Sequence, residues 1–151
     1  MSVSRTYSSR RRNIVQALAD KLKTINGQGE FLSDLGENVV PRLKFWDEVE
    51  EFPSVHLNPG AETRDYQAGG YRDRYLGITV RIYVQEEDAQ EALALILEDV
   101  ETVIEDNSRL EYSDNRNQTQ YTHQISLVSI TTDEGVLEPL GVAEMELEVR
   151  Y

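Results

Sequence analysis

The sequence predicts an α+β fold: a mainly antiparallel sheet with two helices packed on one face, a two-layer sandwich. Two stretches carry apolar residues at helical spacing. The first holds Ile14, Leu18, Leu22 and Ile25; the second holds Ala89, Leu93, Ile96, Val100 and Val103 or Ile104. Two others alternate: Leu76, Ile78, Val80, Ile82 and Val84, then Ala143, Met145, Leu147, Val149 and Tyr151. Each helix thus has one apolar stripe and each long strand one apolar face, and burying these together makes a single two-layer core. A chain of 151 residues suits one such domain.

Residues 1–12, MSVSRTYSSRRR, hold four arginines and no acid, and are expected to form a flexible basic N-terminal arm before a single domain over 13–151. Ser8 or Ser9 is placed to cap the first helix and Gly27 to end it. Residues 28–52 mix loop signals with scattered hydrophobes, of which Phe45, Trp46 and Phe52 are expected to anchor the connection. Pro53 and Asn58-Pro59-Gly60 bracket a short strand. Another short strand over 61–67 leads to Gly69-Gly70, a pair suited to the positive φ of a turn or loop tip.

The clearest strand follows. Its second face carries Tyr75, Gly77, Thr79, Arg81 and Tyr83, and one buried face with one half-exposed face suits an antiparallel sheet. The second helix spans 88–106, with Asp88 as its cap. Residues 86–106 hold nine acids and no Lys or Arg, so ion pairs cannot support this helix and packing must. That acidic face is either solvated or lines something negatively charged. A polar link over 108–123 precedes a strand at about 121–132, where the parity slip between Leu127 and Val128 predicts a bulge or burial on both faces. A turn near Asp133-Glu134-Gly135 leads to the last strand, from about residue 140.

Net charge is −13, which disfavours nonspecific binding to nucleic acid. Without cysteine there are no disulfides, no thiol catalysis and no zinc–thiolate site. No apolar run reaches transmembrane length and no signal-peptide core opens the chain, so no membrane partner is expected and the cytoplasm is the default compartment. His56 and His123 fall in predicted strands with no nucleophile elbow beside them. The glycines of NPGAET and AGGYRD match neither a P-loop nor a dinucleotide motif, and EEDAQE and SDNRNQ lack the spacing of a calcium loop. No catalytic residue, metal or cofactor is expected.

The stretch 60–75 is the stronger lead. Arg64, Tyr66, Tyr71, Arg72, Arg74 and Tyr75 crowd around the glycine turn, and Tyr and Arg are enriched at the centres of protein interfaces. A decorated hairpin with local Arg–Asp pairs is the plain alternative.

An N-terminal helix, then FPSVHL, GAETRDY, RDRYLGITVRIYV, the helix EDAQEALALILEDVETVI and a closing strand GVAEMELEVRY give an order and texture over residues 10–151. In this the chain resembles the tail terminator proteins of long-tailed bacteriophages. The resemblance implies a virion assembly protein and not an enzyme: a ring, usually a hexamer, that caps the tail tube and joins it to the head. Its partners would be sister subunits, the tail tube protein and a head-completion or neck protein, with DNA passing through an acidic lumen without specific binding. It would reside in the tail or neck of the virion, and in the host cytoplasm during assembly. The 60–75 loop would contact the tube or an adjacent subunit; Arg10, Arg11 and Arg12 would meet an acidic neighbour or close the joint to the head. Another neck or tube protein, a non-viral acidic accessory domain and a small hydrolase using His56 or His123 are the competing readings.

Overall fold

The structure, a computed structural model, describes residues 9–151, the side chain of Trp46 excepted. Expectations for residues 1–8, Ser8 as a cap among them, and for Trp46 as an anchor lie outside the described residues. Helix α1 spans Arg10–Leu22, and the Ser9 hydroxyl accepts the Arg12 amide at its start. Arg10, Arg11 and Arg12 are therefore the first turn of a helix, which begins inside the stretch expected as an arm. An extended Ser9 at the cap position is enough to start helical hydrogen bonding there. The helix also ends earlier than the apolar stripe suggests. It stops at Leu22 and caps through Lys23, while Ile25 stays fully buried in the turn that follows.

The connection then contributes a two-residue strand, β1 (Val39–Val40), and a short 3-10 turn at Trp46–Glu48. Leu35 and Val39 are its buried contacts, and the Tyr83 hydroxyl donates to the Lys44 carbonyl at 2.7 Å. Phe45 is 67% exposed, so it is not the anchor its size implied, and Phe52 is half-buried. Leu35 and Val39 carry the anchoring, with Phe31 packed part-buried against the core.

Strand β2 runs unbroken over Ser54–Tyr66, where two short strands were expected. Asn58-Pro59-Gly60 is an irregularity inside it: the pairing with the next strand shifts between Pro59 and Glu62. Pro59 is tolerated because β1 pairs with β2 only at Val55 and His56, leaving β2 an edge strand beyond them. Strand β3 (Arg72–Gln85) returns antiparallel, and α2 (Ala89–Asp106) follows with Asp88 accepting the Glu91 amide as its cap.

The polar link folds into a hairpin, β4 (Glu111–Ser113) and β5 (Thr119–Tyr121). Asp114 builds its turn by accepting the amides of Arg116 and Gln118 and the Gln120 side chain. Hydrogen bonding of this kind mimics a backbone turn and needs no hydrophobic alternation, so periodicity did not reveal it. Strands β6 (Gln124–Thr132) and β7 (Leu140–Arg150) complete the fold, and β6 carries the expected bulge, with its register shifting between Leu127 and Ser129.

The main sheet has the order β1-β2-β3-β7-β6, antiparallel except where β1 meets β2. Helix α1 packs on β1 and β2 and α2 on β3, β7 and β6, giving one continuous core with both helices on the same face. Leu18, Leu22, Leu57, Ile78, Ile82 and Met145 are fully buried within it. At roughly 1.5–3 kcal/mol for each fully buried large aliphatic side chain, this layer supplies the main stabilisation. Gly141 on β7 sits where α2 lies against the sheet. A Cβ there would come within 2.8 Å of Val84 and 3.0 Å of both Ala89 and Leu93.

Candidate functional site

Strands β2 and β3 outrun the rest of the sheet. β7 pairs with β3 only from Tyr75 onward, and Tyr151 adds a reciprocal pair of backbone bonds with Arg74. Residues beyond that point form a two-stranded arm without a neighbouring strand on either side among the described residues. Its tip closes through Gln67 N–H donating to the Tyr71 carbonyl at 2.7 Å. Gly69 and Gly70 both have φ of 84°, which a side chain would resist; these two glycines make the tight reversal possible.

The register sorts the arm's side chains by face. Glu62, Arg64, Tyr66, Arg72 and Arg74 share the helix side; Thr63, Asp65, Asp73 and Tyr75 share the other. Arg64 stands opposite Arg74 and Asp65 opposite Asp73. Like charges directly across a ladder are destabilising, and local partners offset this. Arg64 pairs with Glu62 at 2.6 Å, and Asp73 with Arg150 at 3.7 Å. The Arg74 guanidinium lies over the Tyr151 ring, 5.6 Å from its centroid. Tyr151 in turn donates its hydroxyl to Glu62 and meets Tyr112 edge-on. Burial, aided by the Glu62 carboxylate, pushes the Tyr151 phenol up to about 12. The arm is thus tied down at its base, while Tyr66 and Tyr71 near the tip are 70% and 76% exposed.

The six residues singled out from the sequence therefore differ in setting. Tyr66, Tyr71 and Arg72 are open to solvent; Arg64 and Arg74 are engaged at the base; Tyr75 is half-buried opposite Arg150. Arg10 and Arg11 are half-buried and Arg12 is exposed; Arg11 reaches across to donate to the Gly60 carbonyl at 2.7 Å. That bond joins the start of α1 to the irregularity in β2, at the root of the arm.

The sheet face away from the helices is a charged surface. Arg81 holds Glu144 in a two-nitrogen contact and Thr79 donates to Glu146, while Glu148 stands exposed across from Gly77. On α2 and the three residues before it, eight of the nine carboxylates between residues 86 and 106 are at least partly solvated; the ninth, Asp99, is 1% exposed. It accepts the backbone amides of Leu32 and Ser33 and the Ser33 hydroxyl, tying the 28–34 loop to the helix. Sequence reasoning missed it because a carboxylate among eight others carries no mark of burial.

The histidines form no catalytic frame. His123 is exposed and precedes β6. His56 is buried under the connection, its Nε2 against the Ser54 hydroxyl and its ring edge-on to Tyr83. Burial pushes its pKa down; the Arg42 backbone pulls the other way, and the charges of Lys44, Arg81 and Arg42 add to the lowering. Among the described residues its Nδ1 makes no hydrogen bond of ordinary geometry. Among the described residues no group of three or more His, Asp or Glu is arranged to hold a metal ion.

Comparison with known proteins places the chain. The family described as Bacteriophage Tail Tube Terminator Protein matches residues 8–151. The tail tube terminator protein of Escherichia phage T5 is 33% identical over 149 residues, covering 93% of this chain and 92% of that protein. Among solved structures, a chain of the virion of a native gene transfer agent particle superposes with a TM-score of 0.61 at 10% identity, covering 91% of this chain and 93% of that one, a likeness of fold.

Proposed function

Because the chain belongs to the bacteriophage tail tube terminator family, and so is a structural component of a phage tail and not an enzyme, we propose that it forms a ring, a hexamer, that caps the tail tube and joins it to the head. The observation that carries this reading is the arm. A two-stranded ribbon outside its sheet is marginal alone, and this one bears directly opposed like charges and two exposed tyrosines. Such an element is stabilised when another surface covers it. Tyr66, Tyr71 and Arg72 supply the contact, and Arg64, Arg74 and Tyr75 fix its base, so that the arm docks on the tail tube or an adjacent subunit.

Arg10, Arg11 and Arg12 meet an acidic neighbour, in the ring or at the joint to the neck protein. Part of the acidic excess supplies the charge for a lumen wall along which DNA phosphates slide without adhering. Replacing Tyr71 with Ala and Arg72 with Glu tests the docking role. The monomer should remain folded by circular dichroism, and purified tail tubes mixed with it should stay uncapped in negative-stain images. Capping at wild-type occupancy would remove the arm from the interface.

A further inference from the structure

We infer that subunits join through a knob and a socket: the β6–β7 turn of one copy seats in a basic crevice between α1 and β1 of the next. This rests on the ring proposed above.

The socket is a crevice of about 520 Å³ lined by Val15, Val40, Pro41 and Pro59, with Arg11, Arg12 and Arg42 around it. A space of that size takes several side chains. Among the described residues no carboxylate lines it, and Arg11 is engaged through the Gly60 carbonyl. The α1 N-terminus opens beside it, and the first turn of that helix carries three arginines and no acid. Cations at the positive end of a helix dipole are unfavourably placed, so an arriving carboxylate relieves both the dipole and the cluster. Arg12 and Arg42 are exposed and available to it.

The knob is the turn between β6 and β7, at the strand ends beside the start of α2. Val136 is 81% exposed there, with exposed Glu134 and Glu138 on either side. An isolated exposed valine means little, but this one is held in a rigid frame. The Asp133 carboxylate accepts the amides of Leu137 and Val142 and the Gln90 side chain, and the Val136 amide donates to the Asp133 carbonyl. An apolar tip between two carboxylates, fixed in position, complements an apolar crevice rimmed by guanidinium groups.

The occupant is a second copy of this chain. With net charge −13 the copies repel one another, so a contact between them must bring opposite charges together locally. The sheet order puts β1 at one edge and β6 at the other. Two different complementary patches make a head-to-tail contact, the type that closes into a ring when the rotation per subunit allows.

The chain contains no cysteine, which gives a clean test. Copies carrying both Pro41→Cys and Val136→Cys, mixed with tail tubes and treated with a short bis-maleimide, should give a ladder of covalent multimers. Mixing the two single-cysteine proteins should stop at dimers. Separately, Arg12→Glu with Arg42→Glu should abolish rings on tubes, and adding Glu134→Arg with Glu138→Arg to the same chain should restore them. Rings visible on tubes with only monomers on the gel, or rings indifferent to charge reversal, overturn the knob and socket and leave the ring standing. A wild-type chain that caps tubes without forming a ring removes both.

Discussion

Replacing Asp99 with Asn is the sharpest probe of how the fold is held. The carboxylate is 1% exposed, 3.0 Å from the Leu32 amide through each oxygen and 2.7 Å from the Ser33 amide, and it also accepts the Ser33 hydroxyl. An amide side chain keeps the volume but turns one acceptor into a donor facing donors. Hydrogen bonds to a charged group are worth about 1.5–3 kcal/mol each, and a stranded buried donor costs about 1–3 kcal/mol. Losing one such bond and weakening another gives about 3 kcal/mol. For a chain of this size that is a fall of about 6–12 °C in Tm. Thermal and urea unfolding followed by circular dichroism measure it, and hydrogen exchange at the Leu32 and Ser33 amides locates it. A variant melting within about 2 °C of wild type, with those amides still protected, would show that Asp99 does not hold the loop.

Two further predictions follow from the same geometry. Gly141→Ala should cost about 1–3 kcal/mol, because a methyl group 2.8 Å from Val84 overpacks the joint between α2 and the sheet; denaturation midpoints check it, and a neutral result would mean that α2 shifts freely. Tyr151, with its phenol raised to about 12, should titrate spectrophotometrically well above the ordinary phenol value near 10. The sign follows from the buried neutral form: its contribution to stability is complete below the ordinary phenol value near 10 and is lost as pH climbs from there to about 12. Tyr151→Phe should flatten that alkaline loss, and an unchanged profile would refute the assignment.

How much of the molecule was legible depended on the kind of signal each part carries. β3 and α2 could be read from the sequence because burial on one face imposes a period of two on a strand and 3.6 on a helix. The bulge in β6 showed as a slip of that period at Leu127 and Val128. The β4–β5 hairpin did not show, since Asp114 builds it with hydrogen bonds rather than apolar contacts. Composition pointed to the Tyr- and Arg-rich segment, but only the pairing of β2 past Pro59 revealed it as an arm.

The amino-acid order alone determined the layers, because periodic burial is a local property repeated along the chain. Tertiary structure decided which charges matter. Asp99 is buried while its eight neighbours are solvated, Arg74 is spent on Tyr151, and Arg42 gathers around one crevice with Arg11 and Arg12, from which it is distant in sequence. The physical reason is that the energy of a charge depends on its solvent exposure and on partners that only folding brings near.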